Sequence, residues 1–114
     1  MKYEVMMTSQ AVADLRTVFE YIAYELLAGQ TALNQLDRLE KAIEGLEEMP
    51  ERHHVYEKEP WKSRNLRVMP VDNYRVFYIA EKEEKRVTVI RIMYGRREIE
   101  TQLKAHTSDK DSEK

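Results

Sequence analysis

With 114 residues, no cysteine and a net charge of −2, the chain has the size of one domain able to bury a core without disulfides or thiolate-bound metal, and a second domain would not fit. No stretch approaches the about eighteen apolar residues of a membrane span, and the opening MKYEVMMTSQ has no apolar leader, so the expectation is a soluble, cytoplasmic protein with no membrane partner. The small net charge hides a division: residues 1–61 hold 6 Lys/Arg against 12 Asp/Glu, and residues 62–98 hold 10 against 5. Either the second half meets an anionic partner, or acidic helices and a basic sheet neutralise one another.

YEVMMT, residues 3–8, alternates weakly and predicts a short first strand. Ser9 is a good N-cap, Val12, Leu15, Phe19, Ile22 and Leu26 follow at helical spacing, and Gly29 supplies the stop. A second helix is predicted from about Thr31 to Glu48, with Leu36, Leu39, Ile43 and Leu46 on one face and Pro50 beyond its end. The short link Ala28–Gln30 makes the two an antiparallel hairpin. Leu15, Phe19, Ile22, Leu36, Ile43 and Leu46 are the residues expected to pack on a sheet. Gly45, inside the second helix, marks a close helix–sheet contact or is simply tolerated there.

PERHHVYEKEPWKS, residues 50–63, has no clear period and reads as a long, partly exposed connection. From Arg64 the pattern becomes three short runs, NLRVMP, YRVFYIA and RVTVIRIMY, separated by VDN and EKEEK, which predict an antiparallel meander. The polar residues 104–114 read as a disordered tail, leaving a domain over 1–103. The fold class is α+β: an N-terminal strand, an antiparallel helical hairpin and a three-stranded antiparallel meander, with the helices on one face of the sheet.

Strand alternation sorts the runs by face. If Leu66, Val68, Tyr74, Val76, Tyr78, Ile90 and Ile92 point at the hairpin, then Arg67, Arg75 and Arg91 share the opposite, open face, and Arg96 and Arg97 extend it past the strand end at Gly95. Arginine suits an anionic target because its planar fork grips phosphate or carboxylate bidentately and stays charged. The alternative is that these arginines pair with neighbouring glutamates. His53 and His54 are adjacent, a spacing that does not bring both rings to one metal, and His106 lies in the tail, so no metal site is expected. Lys58, Trp61 and Lys62 either border a nucleic-acid surface or, for the tryptophan, pack. No glycine-rich phosphate loop or serine nucleophile motif is present, and no cofactor is expected.

VADLRTVFEYIA, LEKAIEGLEEMPE, LRVMPVDNYRVFYIA and VTVIRIMYGRREIETQL together resemble the RelE/ParE superfamily of bacterial toxin–antitoxin toxins, over about residues 3–103. The most specific pieces are the Arg-Val-Phe-Tyr strand and the terminal IRIMYGRREI, similar to the family's hydrophobic strand followed by His-Gly-Arg-Arg-Asp, with Tyr94 in place of the histidine and Glu98 of the aspartate. The resemblance implies a cognate antitoxin whose extended C-terminal segment wraps the toxin, and a complex that represses its own operon. It implies one of two targets: DNA gyrase for ParE-like chains, or mRNA on the ribosome for RelE-like endonucleases. The nuclease would use arginines matching Arg75 and Arg97, present here, and a C-terminal tyrosine or histidine, for which Gln102 or Leu103 stands. Tyr94 is the substitute acid or base in that reading, although alternation turns it to the buried face. The long hairpin and the missing C-terminal group favour the ParE manner; a third alternative is a non-toxic regulatory binding module.

Overall fold

The computed structural model describes residues 2–95. Arg96, Arg97, the neighbourhood of Gln102, His106 and the tail over 104–114 lie outside the described residues. The predicted order of elements is the observed one: β1 (Glu4–Met7), α1 (Ser9–Glu20), α2 (Gly29–Glu44), β2 (Leu66–Val71), β3 (Tyr74–Glu81) and β4 (Arg86–Tyr94). The last three strands form the antiparallel meander, and β1 adds to it in parallel beside β4, giving the sheet order β1-β4-β3-β2.

Several boundaries move for identifiable reasons. The N-cap is Thr8 rather than Ser9: its side chain accepts from the Ala11 N–H at 3.0 Å while its own hydroxyl donates to the Ile90 carbonyl at 2.9 Å, tying the helix start to β4. Gly29 opens α2 instead of closing the first helix. The first helix relaxes into a π-helical turn over Tyr21–Glu25, and the chain reverses at Leu27 in the left-handed region, φ 52°. The second helix tightens after Glu44 into a 3-10 turn over Gly45–Glu47. Gly45 makes no close contact with the sheet; a side chain there would meet only the end of Arg52 at 4.0 Å.

The main core lies between the helices and one sheet face, where Ala11, Leu39, Ile43, Leu46, Met69, Tyr74, Val76, Tyr78, Val87, Val89 and Ile92 are buried. Burial of these side chains is the largest favourable term holding the layers together. Tyr78 is wholly enclosed, its hydroxyl donates to the Pro50 carbonyl, and burial pushes its pKa up to about 12.

The inward stripe of α1 and its continuation is Ala11, Asp14, Leu15, Val18 and Ile22; Leu15 and Ile22 are where the spacing predicted them, and Ala11 and Val18 take the places expected of Val12 and Phe19. Val12 and Leu26, expected inside, are 47% and 56% exposed. The second departure is on the far side of the sheet, which is not open. Trp61, Leu66, Phe77 and Met93 form a second buried cluster there, with Tyr56, Val68, Ile79 and Ile90 against it. Leu66, Val68 and Ile90, predicted to face the hairpin, belong to this face. The connection before β2 covers it: Val55 bridges to Arg67, Tyr56 stands edge-on to Phe77 at 5.8 Å, and Trp61 is packed rather than displayed.

Candidate functional site

Among the described residues Arg67 and Arg91 do not join Arg75 on one open face, and each departure has a local cause. On β2 the pleat places Met69 and Val71 with the main core, so Arg67, opposite Tyr78, lies on the helical side. There its guanidinium donates to the carbonyls of His53 at 2.7 Å and Glu51 at 3.1 Å, fastening the segment that runs from α2 to the sheet. On β4 a bulge opposite Phe77 and Tyr78 inserts Ile90 as an extra residue and breaks the alternation. Bulges re-aim the side chains beside them. Arg91 accordingly reaches α1, where its Nε and second terminal nitrogen donate to the two oxygens of Asp14 at 2.8 and 3.0 Å. Asp14 also accepts from the Ile92 N–H at 2.9 Å and from Gln10 at 3.2 Å. Both charges are buried, so this is a structural seam and not an exposed cation.

Arg75 is the strand arginine that remains available. It sits half-buried on β3 opposite Pro70 and Met93 and has no hydrogen-bond or ion-pair partner among the described residues. It borders a cleft of about 260 Å³ at the end of the sheet, lined by Asp72, Asn73, Tyr74, Arg75, Tyr94 and Gly95. Gly95, at φ 65°, adopts the left-handed conformation that frees the chain from the ladder, and its N–H closes on the Asn73 carbonyl at 2.8 Å.

Tyr94 corrects the alternation argument most directly. It does share the helical face, opposite Tyr74, but it is the last strand residue and among the described residues no helix reaches over it, so it is 61% exposed. Its centroid is 5.3 Å from that of Tyr74 at 67°, an edge-to-face pair in which Tyr74 is buried. Burial, with the phenols of Tyr94 and Tyr21 nearby, raises the Tyr74 pKa above its ordinary value. The structure thus brings Arg75 and Tyr94 together, takes Arg67 and Arg91 away, and places Arg96 and Arg97 outside the described residues.

Asp72 was missed by the sequence reading except as a turn residue. At φ 56° in the β2–β3 turn it accepts from Arg38 Nε at 2.7 Å and Gln35 Nε2 at 2.9 Å, and these bonds hold its pKa below the usual carboxylate range. They latch the turn to α2 beside the cleft. Asp14 was also missed, and its signal was legible: a carboxylate at the spacing of Ala11, Val18 and Ile22 within an otherwise apolar stripe. Among the described residues no His, Asp and Glu cluster could hold a metal ion, and no helix is long and apolar enough to cross a membrane.

Residues 5–99 match the family model described as ParE toxin of type II toxin–antitoxin system, parDE. No curated protein sequence matches the chain. Among solved structures, the chromosomal ParDE toxin–antitoxin system from P. aeruginosa superposes with a TM-score of 0.68 at 15% identity, covering 83% of this chain and 98% of that one. E. coli toxin RelE, a double mutant in the free state, gives 0.62 at 16% identity over 96% and 98%. The RelBE2 toxin–antitoxin complex from Mycobacterium tuberculosis gives 0.60 at 19% over 82% and 99%. At such identities the likeness is one of fold.

Proposed function

The chain belongs to the ParE toxin family of type II toxin–antitoxin systems, and from that premise we propose that it is a cytoplasmic toxin that inhibits DNA gyrase by binding rather than by catalysis, neutralised by a cognate antitoxin. One observation supports binding over cleavage: the extended arginine face expected to track a nucleic-acid backbone is interrupted, with Arg91 held by Asp14 and Arg67 by the carbonyls of Glu51 and His53. Cleavage of RNA through the ribose 2′-hydroxyl needs an acid or base together with cations at the developing charge. Of the arginines expected on the strands, Arg75 alone is left for that charge among the described residues.

A second reading has its own observation. Tyr94 is exposed beside Arg75 in the strand-end cleft, which suits a RelE-like endonuclease on ribosome-bound mRNA with Tyr94 as the acid or base and Arg75 stabilising the transition state. The two readings separate in paired assays on the purified protein. The expected result is inhibition of gyrase supercoiling with ribosome-bound mRNA left intact. Codon-dependent mRNA cleavage with supercoiling unaffected would overturn the gyrase reading and make Arg75 and Tyr94 catalytic. Inactivity in both, with binding to the antitoxin retained, would point to the regulatory module.

A further inference from the structure

The first helix carries on its outer side a row of side chains that neither the core nor the proposed target uses. Val12, Arg16, Glu20 and Tyr24 recur at every fourth residue and all four are exposed, Val12 at 47% and Tyr24 at 68%. In an α-helix a row at this spacing drifts round the axis by about 40° per step. The π-helical turn over Tyr21–Glu25 is wider, so it opposes the drift and keeps Tyr24 in line with Glu20. Ala11, Asp14, Leu15, Val18 and Ile22 occupy the inward side of the same helix.

Two features single this row out. Arg16 and Glu20 stand one helical turn apart, yet among the described residues neither side chain has a hydrogen bond or an ion pair. On α2 the same spacing does yield a pair, Lys41 with Asp37 at 3.3 Å. A cation one turn before an acid is the less favourable order within a helix, so Arg16 and Glu20 stay open to an outside partner. The row also has the same pattern in both directions: apolar, charged, oppositely charged, apolar. Turned end for end about an axis between Arg16 and Glu20, it sets Val12 against Tyr24 and Arg16 against Glu20 of a second copy. Ala13 and Ala23, small and beside the row, fall opposite one another by the same operation and let the two helices approach. A parallel arrangement would instead oppose like charges, and a polyphosphate would find no excess of cations in a row of zero net charge.

We propose that two copies of this chain associate through α1, antiparallel about a two-fold axis, with two symmetric Arg16–Glu20 pairs between copies flanked by Val12 on Tyr24. The layers then run sheet, helices, helices, sheet. This association depends on neither the target nor the antitoxin of the proposed function.

Sedimentation velocity on the purified full chain tests it, with dimers expected to accumulate as concentration rises. Arg16→Glu makes the row acidic and Glu20→Arg makes it basic. Each turns both symmetric ion pairs into repulsions and should weaken self-association about tenfold or more. Mixed in equal amounts, the two variants regain complementary charges and should form a heterodimer about as tight as the original homodimer. Tyr24→Ser leaves both charges in place and should weaken association as well. All three positions are exposed, so circular dichroism and the unfolding midpoint should stay unchanged. A chain that is monomeric at every concentration, variants that dimerise as well as the original, or a mixture of the two charge variants that fails to restore association would each overturn the assignment.

Discussion

Arg91 and Arg75 stand on neighbouring strands of one sheet and meet opposite fates. In the seam between α1 and β4, Asp14 arrives from the helix and takes both arms of Arg91. At the strand-end cleft Asp72, the one carboxylate among the described lining residues, is claimed by α2 through Arg38 and Gln35, and Arg75 is left without a partner among the described residues. The two arginines are alike in their own strands. What separates them is whether another element delivers a counter-charge: one guanidinium holds the layers together, and the other meets no such partner among the described residues.

That contrast is breakable. Asp14→Ala takes the carboxylate away from the buried Arg91 guanidinium and the Ile92 N–H, and the expected cost is about 3–5 kcal/mol in urea denaturation. A cost below about 1 kcal/mol would place the seam among ordinary surface pairs and erase the difference from the cleft. Replacing both partners by apolar residues, Asp14→Leu with Arg91→Met, should recover much of the loss, because no uncompensated charge remains.

Arg75→Ala should change stability by less than about 0.5 kcal/mol, as expected of a side chain with no structural partner, while lessening growth arrest when the chain is induced. Destabilisation comparable to that of Asp14→Ala would show that Arg75 is also structural and empty the comparison of content.

The smallest effect sharpens a third cationic neighbourhood. His53 stands edge-on to Tyr78, its Nε2 is buried without a hydrogen-bond partner, and burial foremost, then Arg52, His54 and Arg67, lowers its pKa from 6.5; Glu51 is the nearby carboxylate. The unfolded chain binds this proton more readily than the folded one. Stability is therefore complete above about pH 6.5 and declines as pH falls through the interval down to the lowered value. Unfolding midpoints between about pH 5 and 7.5 should show a modest decline that His53→Gln flattens; an unchanged slope in that variant would assign the decline elsewhere.

The fold was legible because its signals are periodic and redundant: two apolar helical stripes, three alternating runs and turn residues between them. The face assignment failed where a non-periodic feature intervened. The bulge at Ile90 is one extra residue and has no signature in RVTVIRIMY. The second core on the far side depends on an aperiodic connection folding back to bury Trp61. Tyr94 was assigned to the right face and still misread, since whether a strand-end residue is covered depends on where the helices stop. Arg75 and Tyr94 survive as neighbours because both lie at one end of paired strands, a relation that the sequence does contain.

The parallel pairing of β1 with β4 sets a condition on when this chain can fold during its own synthesis. Thr8 bonds to Ile90 across 82 residues, and Asp14 to Arg91 across 77. Such long closures form against a large entropic cost and only after the distant partner exists. On the ribosome, α1 and β1 emerge first and must wait, with their apolar side chains uncovered, until β4 has been translated and cleared the exit tunnel. The N-terminal half is thereby kept from assembling the cleft or the seam by itself, and a truncated translation product lacking β4 has neither the surface nor the stability of the finished molecule.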